Sequence, residues 1–240
     1  MAAVRARGVA LAEGHGAAPW DLAPALEAEL RANYVDARAC LRAAWRPEFL
    51  ATLPDALQLR TRAEGRDDYI LHPARGERLA DESAAAVEEL RRGGGGGFDV
   101  QIVASDGLSP LAMMDPGHLL PYLEALRAGL AAAGYRVAPT LLVVTGGRVR
   151  VGYEIGARLL GDPDDRSTPR AIVHAIGERP GTVHHNFSAY ITAAAPVVWA
   201  APGAIDHPLT RVLSGISDTA CAPALAAAET VKLLRELAPR

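Results

Sequence analysis

Five consecutive glycines, Gly93–Gly97, interrupt the chain directly after Arg91 and Arg92. A run of this kind is a poor helix former and is read here as flexible coil. The hydrophobic pattern changes across it. Before the glycines the chain reads mostly helical. Leu22, Leu26, Leu30, Tyr34, Ala37 and Leu41 recur near the 3.6-residue period of one buried helix face within residues 21–45. Pro47 and Pro54 break that pattern. A short extended piece, Asp68–Pro73, follows, and a second helix is expected over about 74–92, with Leu79, Ala86, Val87 and Leu90 as its apolar side. Three segments are therefore expected: a helical N-terminal region over 1–92, a glycine linker over 93–97, and an α/β domain over 98–240. Residues 1–20 form either a short adaptor or a disordered tail.

After the glycines, short apolar runs alternate with helical patterns. Strands are expected at 99–104, 139–144, 171–176 and 187–192. Helices are expected around Leu119–Leu130, over 152–160 and over 223–237, the last with Leu225, Ala228, Val231, Leu234 and Leu237 inward. Alternation of this kind implies a Rossmann-like α/β fold, a mainly parallel sheet with helices on both faces. The 50% apolar and 22% charged composition fits a globular chain and excludes a disordered or collagen-like one. A net charge of −3 offers no basic field for nucleic acid. The longest apolar stretch, 191–205, is cut by Pro196, Pro202 and Gly203, too short and broken to span a membrane. Cys40 and Cys221 form no CxxC pair, so a reducing cytosol is the default compartment.

In an open α/β sheet, ligands bind at the carboxyl ends of the strands. Three loops leave the expected strands there: Ser105-Asp106-Gly107-Leu108-Ser109, Gly146-Gly147-Arg148-Val149 and Gly177-Glu178-Arg179-Pro180-Gly181. Each offers backbone N–H groups, small residues and a charged side chain, a set suited to a polar ligand if the strands are neighbours; Gly and Asp also simply make turns. No GxSxG elbow, P-loop or GxGxxG opening is present, which excludes the common hydrolase, P-loop and dinucleotide templates. His184 and His185 are adjacent and do not make the i,i+4 pair of a helical zinc site, so they are read as loop histidines, with no metal site. Cys221 is read as structural. Glu178 and Arg179 are either an acid–base pair or the charges that fix a turn. Spacing alone thus gives a ligand-binding α/β domain with no self-contained catalytic set.

The same loops carry a family resemblance. VQIVASDGLS, then GGRV followed by Ile155-Gly156, then IGERPG and Ser188-Ala-Tyr190, in that order, resemble the small (light) subunit of ethanolamine ammonia-lyase. Tyr69-Ile-Leu-His-Pro73 with Gly76-Glu-Arg-Leu79 is also similar to that family, and the likeness covers roughly residues 30–240. The resemblance implies adenosylcobalamin as cofactor and conversion of ethanolamine to acetaldehyde and ammonia. It also implies a hetero-oligomer with a β/α-barrel large subunit that holds substrate and catalytic residues, and a small subunit inactive alone whose Rossmann-like domain covers the cobalamin. Cofactor contacts are implied at Val149, Glu178 and Tyr190, with Asp106 and Gly107 as rim residues; no catalytic residue is implied in this chain. The implied location is cytoplasmic, with a bacterial microcompartment as the alternative. The sequence departs from the family around Leu209–Ile216, where Val212 or Leu213 stands in place of a cofactor-contacting Cys and Gly215 in place of Asn. Thr182-Val-His-His-Asn-Phe187 replaces small polar residues, and the basic N-terminal segment is missing. A divergent member serving another cobalamin-dependent lyase, or a non-catalytic binding module, is the alternative.

Overall fold

The computed structural model describes residues 2–8, 18, 20–180 and 184–239. In chain order the helices are α1 (Ala2–Arg5), α2 (Pro24–Arg42), α3 (Pro47–Leu50), α4 (Arg66–Leu71), α5 (Asp81–Arg92), α6 (Pro110–Met114), α7 (Leu119–Ala132), α8 (Val149–Leu160), α9 (Pro196–Ala200) and α10 (Pro223–Leu237). The strands are β1 (Ala56–Arg60), β2 (Val100–Ser105), β3 (Leu141–Thr145), β4 (Arg170–Gly177), β5 (Phe187–Ala194) and β6 (Thr210–Ile216). They form one six-stranded sheet in the order β1-β3-β2-β4-β5-β6. The first four strands in that order run parallel. β5 and β6 are added antiparallel. The expected mainly parallel sheet with helices on both faces is what the chain builds.

β2 is buried at every position and β4 at all but its first, as parallel strands covered on two faces must be. Alternate residues feed two cores. On one face Ile102, Ala104, Val173, Phe187 and Ile191 pack under α6, α7 and α10, around Tyr122, Leu126, Leu130 and Leu234. On the other, Val103, Leu142, Val144 and Ile172 pack under α5, α8 and α9, around Val87, Ile155, Leu159 and Trp199. Gly156 lets α8 lie directly on Trp199: a Cβ there would come within 2.2 Å of the indole ring.

Several expected elements are corrected. Asp68–Pro73 is not extended: residues 66–71 are α4, whose Tyr69 is buried beneath two arginines. The helix expected over 74–92 is split into a 3₁₀ turn, Pro73–Glu77, and α5. The region before the glycines also supplies a strand, β1, which pairs along its length with β3. The glycines are not free coil. Gly95–Gly97 make a 3₁₀ turn, Gly96 sits against the Leu159 carbonyl, and its own carbonyl accepts from Arg170 at 2.8 Å. In α10 the inward face is Ala226, Ala227, Thr230, Val231 and Leu234, while Leu225 and Ala228 face out. The supposed buried stripe of α2 buries only Cys40 and leaves Leu30 and Tyr34 exposed. Most of the expected N-terminal tail lies outside the described residues. Among the described residues no helix is long and apolar enough to cross a membrane.

Candidate functional site

β3, β2 and β4 are adjacent, so the three loops at their carboxyl ends meet. They are joined by main-chain and buried side-chain bonds. Asp106 Oδ1 accepts from the Gly146 and Gly147 N–H groups at 2.8 and 3.2 Å. The Leu108 N–H donates to the Gly177 carbonyl at 2.8 Å. Gly107, at φ +55°, passes so close to that carbonyl that a Cβ would lie 2.0 Å from it. Burial pushes the Asp106 carboxyl up to about 6, against the pull of Arg66 and the surrounding N–H groups. Arg66 Nη1 lies 3.8 Å from Asp106 Oδ2 and donates to the Gly107 carbonyl at 2.8 Å. Arg66 and Arg148 cover the Tyr69 ring, at 4.7 and 4.4 Å from its centroid. Tyr69 Oη donates to the Gly147 carbonyl at 3.2 Å. α4 therefore occupies the crevice above β2 and β3. Asp106 and Gly107 lie beneath the surface, where they hold the loop paths.

The open side chains lie one step along the sheet. Val149 is the first residue of α8 and is half-buried. Glu178 follows β4 directly, and its Oε1 accepts from Tyr190 Oη at 3.1 Å. Tyr190 is half-buried, and burial together with the Glu178 carboxylate raises its hydroxyl pKa. Tyr190 sits between His174 on β4 and Val212 on β6. Val212 is 46% exposed, whereas the neighbouring Leu213 packs toward α10. Of the two residues in the family's Cys segment, Val212 is thus the one on the open face with Tyr190. Ser188, two residues before Tyr190 on the same strand face, is buried with its Oγ unpartnered. Below them His174 is buried. Its Nε2 lies 2.6 Å from Ser105 Oγ, and burial holds it down at about 4. Tyr153, Thr210 and Thr192 continue this polar line. Gly181 lies outside the described residues. A neighbouring cleft of about 480 Å³ is lined by Arg78, Arg150, Tyr153, Arg158 and Trp199.

A second polar cluster, missed in the sequence, surrounds His185. Its Nδ1 is 2.5 Å from Asp115 Oδ2, and its Nε2 is 2.9 Å from Cys40 Sγ and 3.1 Å from Asp36 Oδ2. Burial works against the imidazolium, but Asp115 and Asp36 together raise the His185 pKa. The Cys40 thiol is pushed up to about 11, mainly by burial. The one legible signal was the i,i+4 spacing of Asp36 and Cys40; the histidine that completes the group lies 145 residues from Cys40.

The model of the family ethanolamine ammonia-lyase light chain (EutC) matches residues 6–240. The chain is similar to the ethanolamine ammonia-lyase small subunit of Azotobacter vinelandii, 37% identical over 187 residues, which cover 78% of this chain and 63% of that protein. It is also similar to the ethanolamine ammonia-lyase small subunit of Pseudomonas fluorescens Pf-5, 40% identical over 127 residues, which cover 53% of this chain and 42% of that protein. The chain therefore spans less than two thirds of the length of these relatives. A match across nearly the whole chain establishes the kinship. The chain belongs to the ethanolamine ammonia-lyase light chain family.

Proposed function

We propose that this chain is the small subunit of an adenosylcobalamin-dependent ethanolamine ammonia-lyase, binding one side of the cofactor while a large subunit holds the substrate. Family membership supports the reading. The structural observation that carries it is the open face at β5 and β6. There Tyr190 and Val212 stand side by side and Glu178 is tied to Tyr190.

These residues fit a cobalamin. Val149, Val212 and the Tyr190 ring offer apolar surface to a planar ring system. Glu178 Oε1 is taken by Tyr190, leaving Oε2 as a charged acceptor for amide or hydroxyl donors. When bound, adenosylcobalamin supplies the radical that starts hydrogen abstraction from the substrate. This chain's part is to grip, orient and shield. Asp106 and Gly107 act from beneath, by fixing the loop that carries Val149 and the start of the loop that carries Glu178. The proposed cobalamin-binding α/β region over 98–240 is completed by β1 and α5 of the N-terminal region, which belong to the same sheet and core.

The test is co-purification with a cognate barrel-type large chain, with and without adenosylcobalamin, following bound corrin by its visible absorbance. A coloured complex that releases ammonia from ethanolamine supports the proposal. A colourless chain that ignores the large subunit overturns it. The second reading, a family member serving another lyase, is favoured by Val212 in the place of the family's Cys. It predicts a coloured complex that releases no ammonia from ethanolamine.

A further inference from the structure

We propose that Asp36, Cys40 and His185 form a binding site for a divalent cation of the zinc class, which pins α2 to the α/β body. Two ligands come from one helix face: Asp36 and Cys40 are one turn apart on α2. The third comes from the loop before β5. One carboxylate oxygen, one sulfur and one imidazole nitrogen lie 2.9, 3.1 and 3.9 Å apart. Bond lengths of roughly 2.0–2.3 Å to a tetrahedral zinc require ligand separations of roughly 3.3–3.6 Å, so changes in separation of about 0.7 Å or less admit the ion. A sulfur–nitrogen–oxygen set selects a borderline-soft metal over magnesium or calcium.

The surroundings are those of a metal-bound histidine. Asp115 takes the Nδ1 side of His185, and the tautomer that donates to it carries a bare lone pair on Nε2. That lone pair faces the Asp36 carboxylate oxygen, an acceptor facing an acceptor. Two arrangements relieve the opposition: a second proton on the imidazole, or a cation among the three atoms. Cys40 has no exposed surface, so no substrate can approach it as a nucleophile; a metal ligand needs no such approach. Asp36 is partly exposed, which leaves an outer side for water as the fourth ligand. On binding, the Cys40 thiol proton and the second proton of a His185 imidazolium pass to solvent as the metal–sulfur and metal–nitrogen bonds form, and no electron is transferred. The site has a structural use: α2 otherwise buries no residue but Cys40.

The test is titration of the chelator-treated full chain with Co²⁺ and then Zn²⁺. The expected result is one equivalent of Co²⁺ bound, with a thiolate-to-cobalt charge-transfer band and visible ligand-field bands, both bleached by Zn²⁺. Cys40→Ser and His185→Gln abolish the charge-transfer band or weaken binding by at least about tenfold, and Cys221→Ser, which removes the other thiol, leaves it intact. Asp115→Asn lowers affinity about 10–100-fold, as loss of an outer partner does. Circular dichroism identifies any variant that fails to fold; His185→Gln, on a loop, is the variant of record if Cys40→Ser does not. Absence of the band in the native chain overturns the proposal and leaves His185 an imidazolium between two carboxylates. A band that survives His185→Gln at undiminished affinity, or one lost in Cys221→Ser, overturns it equally.

Discussion

Glu178 is half-buried, and its Oε1 accepts from Tyr190 Oη. Glu178→Ala is expected to weaken cobalamin retention by the complex by on the order of 1.5–3 kcal/mol, the value of a hydrogen bond to a charged group. Equilibrium dialysis with the corrin checks this. Val149→Asp is expected to weaken retention further, because it sets a charge against an apolar ring; visible absorbance of the purified complex measures the loading. His174 gives a pH signature of the fold itself. Its folded pKa, about 4, lies below the unfolded value near 6.5. As pH falls from about 6.5 to 4, the unfolded chain gains a proton there that the folded chain refuses, so the histidine's presence destabilises progressively. Asp106, raised to about 6, acts in the opposite sense: the folded chain takes its proton first, so this group gains stability as pH falls through 6 toward 4. The His174 contribution is isolated by comparison with His174→Gln. That variant is less stable than the native chain near pH 7, and the gap narrows by on the order of 3 kcal/mol between pH 6.5 and 4, as read by urea unfolding at each pH.

α8 shows how an element's place depends on a residue that a hydrophobic pattern does not register. Gly156 has no side chain to count, yet it allows the helix to rest on Trp199. Gly156→Ala is expected to destabilise by about 1–3 kcal/mol, because the added methyl overpacks the indole; thermal unfolding is the measurement. Similar reasons decided what was legible in the sequence. β2 and β4 were readable because both are runs of apolar residues ending at turn signals. α10 was placed at its true bounds, but its buried face was misread. Ala226, Ala227 and Thr230 face inward because small residues admit close contact with α7, where Thr230 meets Tyr122 Oη at 3.1 Å. β1 and β6 were missed; β1 has four of its five residues, and β6 five of its seven, at least partly exposed. α4 was misread because its geometry depends on Tyr69 lying beneath Arg66 and Arg148, one of them 79 residues away. The loops of the candidate site were legible as turns of Gly and Asp. The pairing of Glu178 with Tyr190, and the outward turn of Val212, required the antiparallel register of β5 and β6.

Across the whole molecule, attachment to the sheet is uneven. The central strands are buried on both faces, while α2 is held by Cys40, by Arg66 donating to the Leu41 carbonyl, and by the Arg42–Asp67 ion pair. Amides of α2 are therefore expected to exchange with solvent by local opening, faster than those of β2 and β4, which exchange only with global unfolding. Hydrogen exchange resolved by mass spectrometry tests the order, and equal protection would contradict it.

The bonds that join the three loops have a consequence for divergence within the family. Leu108 meets Gly177 through main chain alone, as does Arg148 with Gly76, and Asp106 Oδ1 binds the backbone N–H groups of Gly146 and Gly147. Such contacts do not read the identity of neighbouring side chains. Provided the glycines and the one aspartate remain, the outward-facing positions are free to mutate without bending the frame that presents them. The rim is in this sense a fixed socket with exchangeable teeth.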